Sequence, residues 1–480
     1  MALRTAEQYR QGLRDGRVVY YRGEQVEDVT THEQLSIGVA HTSLDYDLAE
    51  DEDHRELFSW ADDDGTLHSR YYKHPASAQD LLNRREMIET STRLSSSTVL
   101  LIKEIGTDAL FALDLVSRVI DEKAGTDYHE RVSAFHQHAR DHDLALAVAQ
   151  TDVKGDRALL PSEQEHPDYY VRIVEERADG IVVRGCKAHT TNTPMVDEII
   201  VLPTRAIGEQ DAAYAVAFAI PVNTPGVKLL ASPFGASERR SEFHYPVSSK
   251  HHLVDTLTIF DDVFIPKERV FLQGEWQAAG FLANTFVEFH RYTAVSYKPP
   301  LCDLFIGASA LLAYYNGIPK VSHVREKLTK LITWTETVRG LGRAAAHDCR
   351  ITDFGLAVPN VLLTNLAKHA FADSYHEAIQ WVQDIAGGLV VTGPDELDMA
   401  NDELRPYIDQ YLGGAGVDAD TRLRAMNLVR DLTASEFGGY NQLLAIHAEG
   451  SLEAQKITIF RDYDLERCKD LAADAMGVSR

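Results

Sequence analysis

His290, Arg291, Tyr292 and Lys298 fall within one stretch, Val287-Glu288-Phe289-His290-Arg291-Tyr292-Thr293-Ala294-Val295-Ser296-Tyr297-Lys298. An imidazole titrates near neutrality and suits proton transfer, while a guanidinium and an ammonium attract anions. Leu282, Phe286, Phe289, Tyr292 and Val295 recur at helical spacing. The stretch therefore reads as a helix with His290 and Lys298 about two turns apart, on neighbouring faces. Pro299-Pro300 is expected to interrupt that helix before the apolar run Leu301 to Tyr315, because neither proline supplies an N–H and the first is restricted by the second. A titratable group on an apolar helix beside a break is one way to hold a catalytic base at a cofactor. A core histidine with one hydrogen-bond partner is the structural alternative.

Other stretches are rich in donors. Gln150-Thr151-Asp152-Val153-Lys154-Gly155-Asp156-Arg157 surrounds a glycine with groups that could meet a pyrophosphate or a flavin ring edge, or could form a polar turn. Lys187-Ala188-His189-Thr190-Thr191-Asn192-Thr193 follows a strand pattern and could hold the polar edge of an isoalloxazine or cap strands. Gln383, Gly387 and Gly388 close a helical pattern; the glycines serve either as a C-cap or for close backbone approach to a nucleotide. His447 and Glu449 are a candidate acid or base just before Ser451, which suits the N-cap of a last helix.

The elements that must position these groups come in three blocks. Residues 1–142 are mostly helical in pattern, with a short helix from Ala6 to Gly16, a loop-rich passage from Gly23 to Leu48, and long helices over Ala78–Ser95 and Ser97–Ala124. Residues 143–275 switch to short strands, including a hairpin across Ala178-Asp179-Gly180. From 276 to 480 the helical period returns over Leu301–Tyr315, Ser322–Asp348, Val358–Ala386, Thr421–Leu432 and Leu452–Met476, long enough for a bundle.

At 480 residues the chain exceeds one ordinary core. Its 73 acidic and 48 basic residues give a formal charge of −25, which argues against nucleic acid as a partner. No apolar run reaches a membrane span and the N-terminus lacks a signal-peptide core, so a cytoplasmic location is expected. Cys186, Cys302, Cys349 and Cys468 are dispersed, which suggests reduced thiols and neither a metal site nor a cysteine-ligated cluster. No G-x-G-x-x-G follows a strand pattern, so a complete NAD site is not expected.

Taken together, Gly106–Leu110, Thr151–Arg157, Lys187–Thr191, Ile259–Pro266, Phe289-His290-Arg291, Tyr315-Asn316-Gly317, Gln383–Leu389 and His447–Ala454 resemble the family of 4-hydroxyphenylacetate 3-monooxygenases and 4-hydroxybutyryl-CoA dehydratases. The resemblance spans nearly the whole chain and implies an α+β, acyl-CoA-dehydrogenase-like fold. That fold has an N-terminal helical domain, a middle β-barrel domain and a C-terminal four-helix bundle, in a homotetramer or homodimer. It implies FAD, bound by Gln150, Thr151, Lys154, Arg157, His189, Thr190 and Thr191, with Gln383, Gly387 and Gly388 reaching the dinucleotide of a neighbouring subunit. His290, Arg291, Tyr292 and Lys298 are then the candidate catalytic groups.

The departures from that pattern are specific. The dehydratase branch carries a [4Fe–4S] cluster on three cysteines and a histidine, and His290 stands where the histidine is expected. Tyr297, Leu100 and Glu104 occupy the cysteine positions, so no cluster is expected, and a glutamate base of that branch falls near Leu444. The phenol-binding Arg, Tyr and His of the hydroxylase branch fall near Ile105, Ala109 and Val148. Lys103, Glu104, Arg93 or Tyr292 then contact a different substrate. The leading expectation is an FAD-dependent monooxygenase that takes reduced FAD from a separate flavin reductase and oxygenates an electron-rich small molecule through a flavin C4a-hydroperoxide. A cluster-free dehydratase or isomerase acting on an acyl-CoA is the alternative.

Overall fold

The long helix that carries His290 does not stop at the prolines. In the computed structural model, which describes residues 3–233 and 241–478, it runs unbroken from Trp276 to Tyr315 through Pro299 and Pro300. A proline at 299 deprives the Val295 carbonyl of its usual partner four residues on. Here the Arg85 guanidinium donates to that carbonyl at 3.0 Å, from the neighbouring helix Ala78–Leu94. The Ser97 hydroxyl donates to the Pro300 carbonyl at 2.9 Å. The expected interruption is overturned: Arg85, distant in sequence, satisfies the carbonyl that Pro299 leaves open.

The middle of the chain forms two sheets and no closed barrel among the described residues. Six strands run in the order Glu24–Val26, Val19–Tyr21, Val227–Ala231, Asp255–Pro266, Gly180–Thr191, Arg172–Arg177. Four more run Val270–Gln273, Val216–Pro221, Glu198–Val201, Leu146–Ala149. Each order ends in unpaired edges, so the expected barrel is corrected to a pair of open sheets. The hairpin falls where expected, with Arg177 opposite Gly180.

Two strands of the larger sheet, Val19–Tyr21 and Glu24–Val26, come from the N-terminal block read as helix and loop. Three-residue strands are too short to display an alternating pattern. Leu35–Glu50, in the passage read as loop-rich, is a helix buried on several faces through Val39, His41, Asp45, Tyr46 and Leu48. Only Ala40, Asp47 and Glu50 are exposed, and so narrow a solvent strip leaves little amphipathic period to read. At the other end, the single helix expected over Leu452–Met476 is two, Leu452–Asp462 and Leu465–Met476, with the Asp464 carboxylate capping the second.

The helices Trp276–Tyr315, Ser322–His347, Val361–Ala386 and Ala419–Thr433 pack around one apolar core. No helix among the described residues is long and apolar enough to cross a membrane. A second core joins helix Glu104–Ala124 to the long helix and to the strand Leu146–Ala149, through Leu110, Phe111, Phe289 and Leu146. Gly106 permits that contact, since a Cβ there would lie 2.3 Å from the Leu146 Cβ. Gly106→Val is therefore expected to destabilise the fold by about 3 kcal/mol through overpacking, read as a lower urea midpoint at unchanged slope. An unaltered midpoint would show that the helix moves away without cost.

Candidate functional site

Three side chains converge on one carboxylate beside the long helix. Lys298 lies 3.2 Å from Glu449 Oε2 and Lys368, from helix Val361–Ala386, lies 3.4 Å from the same oxygen. The Tyr297 hydroxyl donates to Glu449 Oε1. Lys298, Lys368 and Glu449 have side chains at most 3% exposed. Arg291 holds the loop that carries Glu449: its Nε donates to the Glu449 carbonyl at 2.9 Å and its Nη1 to Asn365 Oδ1 at 2.8 Å. The next residue, Gly450, has φ +95° and leaves only 2.6 Å between an added Cβ and Arg291 Nη2. Both the backbone angle and the close approach favour glycine there.

These contacts set the electrostatics. Burial pulls the Lys298 ammonium down to about 7; Glu449 partly offsets this and Lys368, a like charge, adds to it. Burial opposes ionisation of Glu449, yet Lys298, Lys368 and His290 hold it at about 2. Burial also lowers Arg291, to about 10. The carboxylate is thus ionised at neutrality and Lys298 is poised between its two states.

His290 sits one helical step away on the same element. Its Nδ1 is 3.3 Å from Asp108 Oδ2, and Phe286 stacks on its ring at 5.2 Å between centroids. Asp108 is itself held by Thr293 Oγ1 at 2.9 Å and by the Arg84 guanidinium at 2.8 Å. Such an orienting carboxylate fixes the ring and leaves Nε2 as the free nitrogen for proton transfer. Tyr292 faces the other way. Its hydroxyl donates to the Leu81 carbonyl at 2.9 Å, so this candidate joins two helices and does not meet the Glu449 cluster.

The cluster borders a pocket lined by Lys298, Tyr297, Phe371, Tyr375, Phe437 and Tyr440, among others, with about 480 Å³ of empty space including its open mouth. Leu444 is on its wall, as are Ser97, Thr98 and Val99. The Tyr440 hydroxyl donates to Asp255 Oδ2 at 3.1 Å, at the start of the strand paired with Thr191. Other candidate substrate contacts lie elsewhere: Lys103 is buried between Asp45 and Asp143, each at 2.6 Å, and Arg93 pairs with Asp303. Ile105, Ala109 and Val148 are core residues.

The two donor-rich segments of the sheet region do come together. Ala188 N donates to Thr151 O at 2.8 Å, and Asp152 pairs with Lys187. Buried Lys187 also donates to the Gln150 carbonyl at 2.8 Å. Gln150 reaches the long helix, donating to Ala283 O at 3.4 Å, about 10 Å along the helix from His290. His189 is exposed, Thr191, Thr151 and Lys154 are half-buried, and Arg157 is exposed. Thr190 Oγ1 is buried without a hydrogen-bond partner. A buried orphan hydroxyl among further donors fits the polar edge of a flavin.

Gln383, Gly387 and Gly388 are not part of this assembly. They lie about 27–35 Å beyond Asn365 at the helix end, where Gln383 donates to Thr433 Oγ1 at 3.1 Å.

The donor set around His290 does not fit a [4Fe–4S] cluster. Tyr297 is committed to Glu449, Leu100 is fully buried and offers no ligand atom, and Glu104 folds back to accept from Ile102 N and Lys103 N at 3.0 and 3.1 Å. The nearest thiol on the same helix, Cys302, is about 18 Å along it and lies in the bundle core. The residues missed by sequence reading, Asp108, Lys368 and Asn365, carry one common signal: a polar side chain on the buried stripe of an apolar helix. Tyr297 carried none.

Comparison with known proteins covers the whole chain. Residues 5–272 match the N-terminal family model described as 4-hydroxyphenylacetate 3-hydroxylase, and residues 279–477 match its C-terminal counterpart. The chain is 32% identical to 4-hydroxybutyryl-CoA dehydratase/vinylacetyl-CoA-Δ-isomerase of Clostridium aminobutyricum, over 99% of this chain and 100% of that protein. It is 29% identical to the oxygenase component of 4-hydroxyphenylacetate 3-monooxygenase of Thermus thermophilus, over 94% and 92% respectively. A crystal structure of such an oxygenase component, complexed with FAD and 4-hydroxyphenylacetate, superposes with a TM-score of 0.91 at 27% identity, covering 99% of this chain and 98% of that one.

Proposed function

Because the chain belongs to the 4-hydroxyphenylacetate 3-hydroxylase family, we propose that it is an FAD-dependent monooxygenase acting on an electron-rich small molecule, served by a separate flavin reductase. Reduced FAD, when bound, supplies the electrons that activate O₂. Thr151, Lys154, His189, Thr190 and Thr191 hold the flavin edge against the long helix, and Arg157 extends that set. Gln383, Gly387 and Gly388 serve a neighbouring subunit of a homotetramer or homodimer. His290 Nε2 donates and recovers the proton at the reacting oxygen, while Asp108 fixes its ring. Phe286 and the aromatic pocket wall exclude water. The observation that carries this reading is the donor set at His290: a carboxylate-oriented imidazole on the same helix as Tyr297, with no thiolate in the positions a cluster needs.

The 32% identity to a dehydratase supports a second reading, a cluster-free dehydratase or isomerase of an acyl-CoA with His290 as base. Anaerobic mixing of the protein with reduced FAD, then with O₂ and a panel of phenols, separates the two. A delayed return of oxidised flavin with a hydroxylated product supports the monooxygenase. Immediate reoxidation with no product, together with O₂-independent water loss from a hydroxyacyl-CoA, replaces it by the second reading. In the same protein Thr190→Val is expected to weaken FAD binding about tenfold, the worth of one buried hydrogen bond. Equilibrium flavin-fluorescence titration measures it, and unchanged affinity would remove Thr190 from the site.

A further inference from the structure

A second cleft lies outside the aromatic pocket, lined by Arg70, Lys73, Pro75, Asp80, Asn83 and Arg84, with about 260 Å³ of empty space including its mouth. Three cations against one carboxylate reverse locally the balance of a chain whose formal charge is −25. Two of the three are matched. Lys73 pairs with Asp80 Oδ1 at 2.7 Å, and Asp80 Oδ2 accepts from Ala76 N at 3.1 Å and the Ser77 hydroxyl at 2.7 Å. Arg84 donates through Nη2 to Asp108 Oδ1 at 2.8 Å. Arg70 is the third, and among the described residues it lies in no ion pair. Its Nε donates to the Leu57 carbonyl at 2.7 Å, and its Nη2 to the carbonyls of Glu56 and Ser59 at 2.6 and 2.7 Å, which leaves Nη1 over. Burial lowers this guanidinium, and Asp80 and the exposed Glu56 offset part of that. Asn83 accepts from Gln79 at 2.8 Å through its carbonyl oxygen, so its amide N–H groups remain to donate.

We propose that this cleft is a binding site for a phosphate-type oxyanion, free or as a monoester, held by Arg70, Lys73 and Asn83 with Arg84 beside it. Cations taken out of water are retained where something pairs them, and carbonyl dipoles fix the Arg70 guanidinium without neutralising it. A guanidinium already held at three carbonyls loses little freedom when an anion arrives, so less of the binding energy goes into ordering it. Its flat fork and the Lys73 ammonium suit tetrahedral oxygens. Asp80 does not repel such a guest at full strength, because Lys73 and the first turn of helix Ala78–Leu94 already take up its charge. The cleft is one residue from the reaction chemistry: Arg84 also holds Asp108, the carboxylate that orients His290. Nothing in this assignment depends on which reaction the flavin runs.

The test is calorimetric titration of the FAD-loaded protein with inorganic phosphate, with glycerol 3-phosphate and with neutral glycerol, at fixed ionic strength. Loading with FAD first means that the diphosphate of the cofactor is already seated. A single saturable phosphate site per chain is expected, with no binding of glycerol. Tighter binding of glycerol 3-phosphate than of phosphate marks an ester as the occupant, and the reverse order marks the free ion. Lys73→Met and Arg70→Met should each weaken phosphate at least tenfold, whereas Lys73→Arg keeps the charge and should retain it. The two Lys73 variants carry the test if Arg70→Met, which strips three carbonyls of their donor, does not fold. Lys298→Met should leave phosphate affinity unchanged, since that lysine belongs to the aromatic pocket. No saturable binding to the loaded protein, full affinity in Lys73→Met, or loss of binding in Lys298→Met overturns the proposal. No turnover is involved, so such a failure leaves the flavin reaction standing.

Discussion

Replacing His290 with alanine is expected to cut oxygenated product about 10²–10⁴-fold, the usual worth of a positioned acid–base group, while FAD still binds. The expectation rests on one geometry. Asp108 holds Nδ1 and Phe286 stacks on the ring, which leaves Nε2 as the nitrogen available for proton transfer. Flavin consumption without product, measured as uncoupled reoxidation, should rise in the variant. Asp108→Asn keeps the shape but weakens the hold on the imidazole, so it should lose less rate than His290→Ala. Full coupled activity in His290→Ala would mean that the proton comes from elsewhere. Tyr440, hydrogen-bonded to Asp255, would be next to examine.

The second large effect is on stability. Glu449→Gln leaves two buried ammonium groups without their carboxylate and should cost about 3–5 kcal/mol, read by urea unfolding. A loss below ~1 kcal/mol would show that the lysines shed their protons without penalty. The same cluster predicts a pH dependence with a definite sign. Folded Lys298 titrates at about 7, below the 10.5 of an unfolded lysine. Between those values the unfolded chain binds more protons, so stability rises with pH, by at most about 1.4 kcal/mol per unit. Lys298→Met should flatten that rise. Glu449 acts at the acid end: its contribution is complete above its ordinary 4.5 and is lost as pH falls toward about 2. A wild-type profile that is flat between pH 7 and 9 would show that Lys298 keeps its proton in the fold.

Much of the architecture was legible in the residues. Helices of three turns or more with one solvent face declare themselves by period, as Val361–Ala386 and Ser322–His347 do. The Ala178-Asp179 turn declares its hairpin, and the donor-rich runs 150–157 and 187–191 are unusual enough in composition to be singled out before any contact is known. His290, Arg291 and Lys298 belong to the same class, because titratable groups on an apolar helix need a reason. Their chemistry follows from residue type, and residue type is local.

Tertiary structure decided the rest, because pairing between distant segments leaves no local period. Pro299-Pro300 should end a helix, and only Arg85, reaching Val295 across 210 positions, lets it continue. Tyr297 is legible only as standing at a cysteine position of the dehydratase branch until Glu449, 152 positions on, accepts its hydrogen bond. Tyr292 and Lys298 lie on one helix, yet one turns to Leu81 and the other to the pocket, which depends on what packs against each face. Lys368 is an interruption of an apolar stripe until the fold places it on the same carboxylate as Lys298. The open sheets follow the same logic, since which strands find partners, and which stay at an edge, depends on neighbours that no single strand encodes.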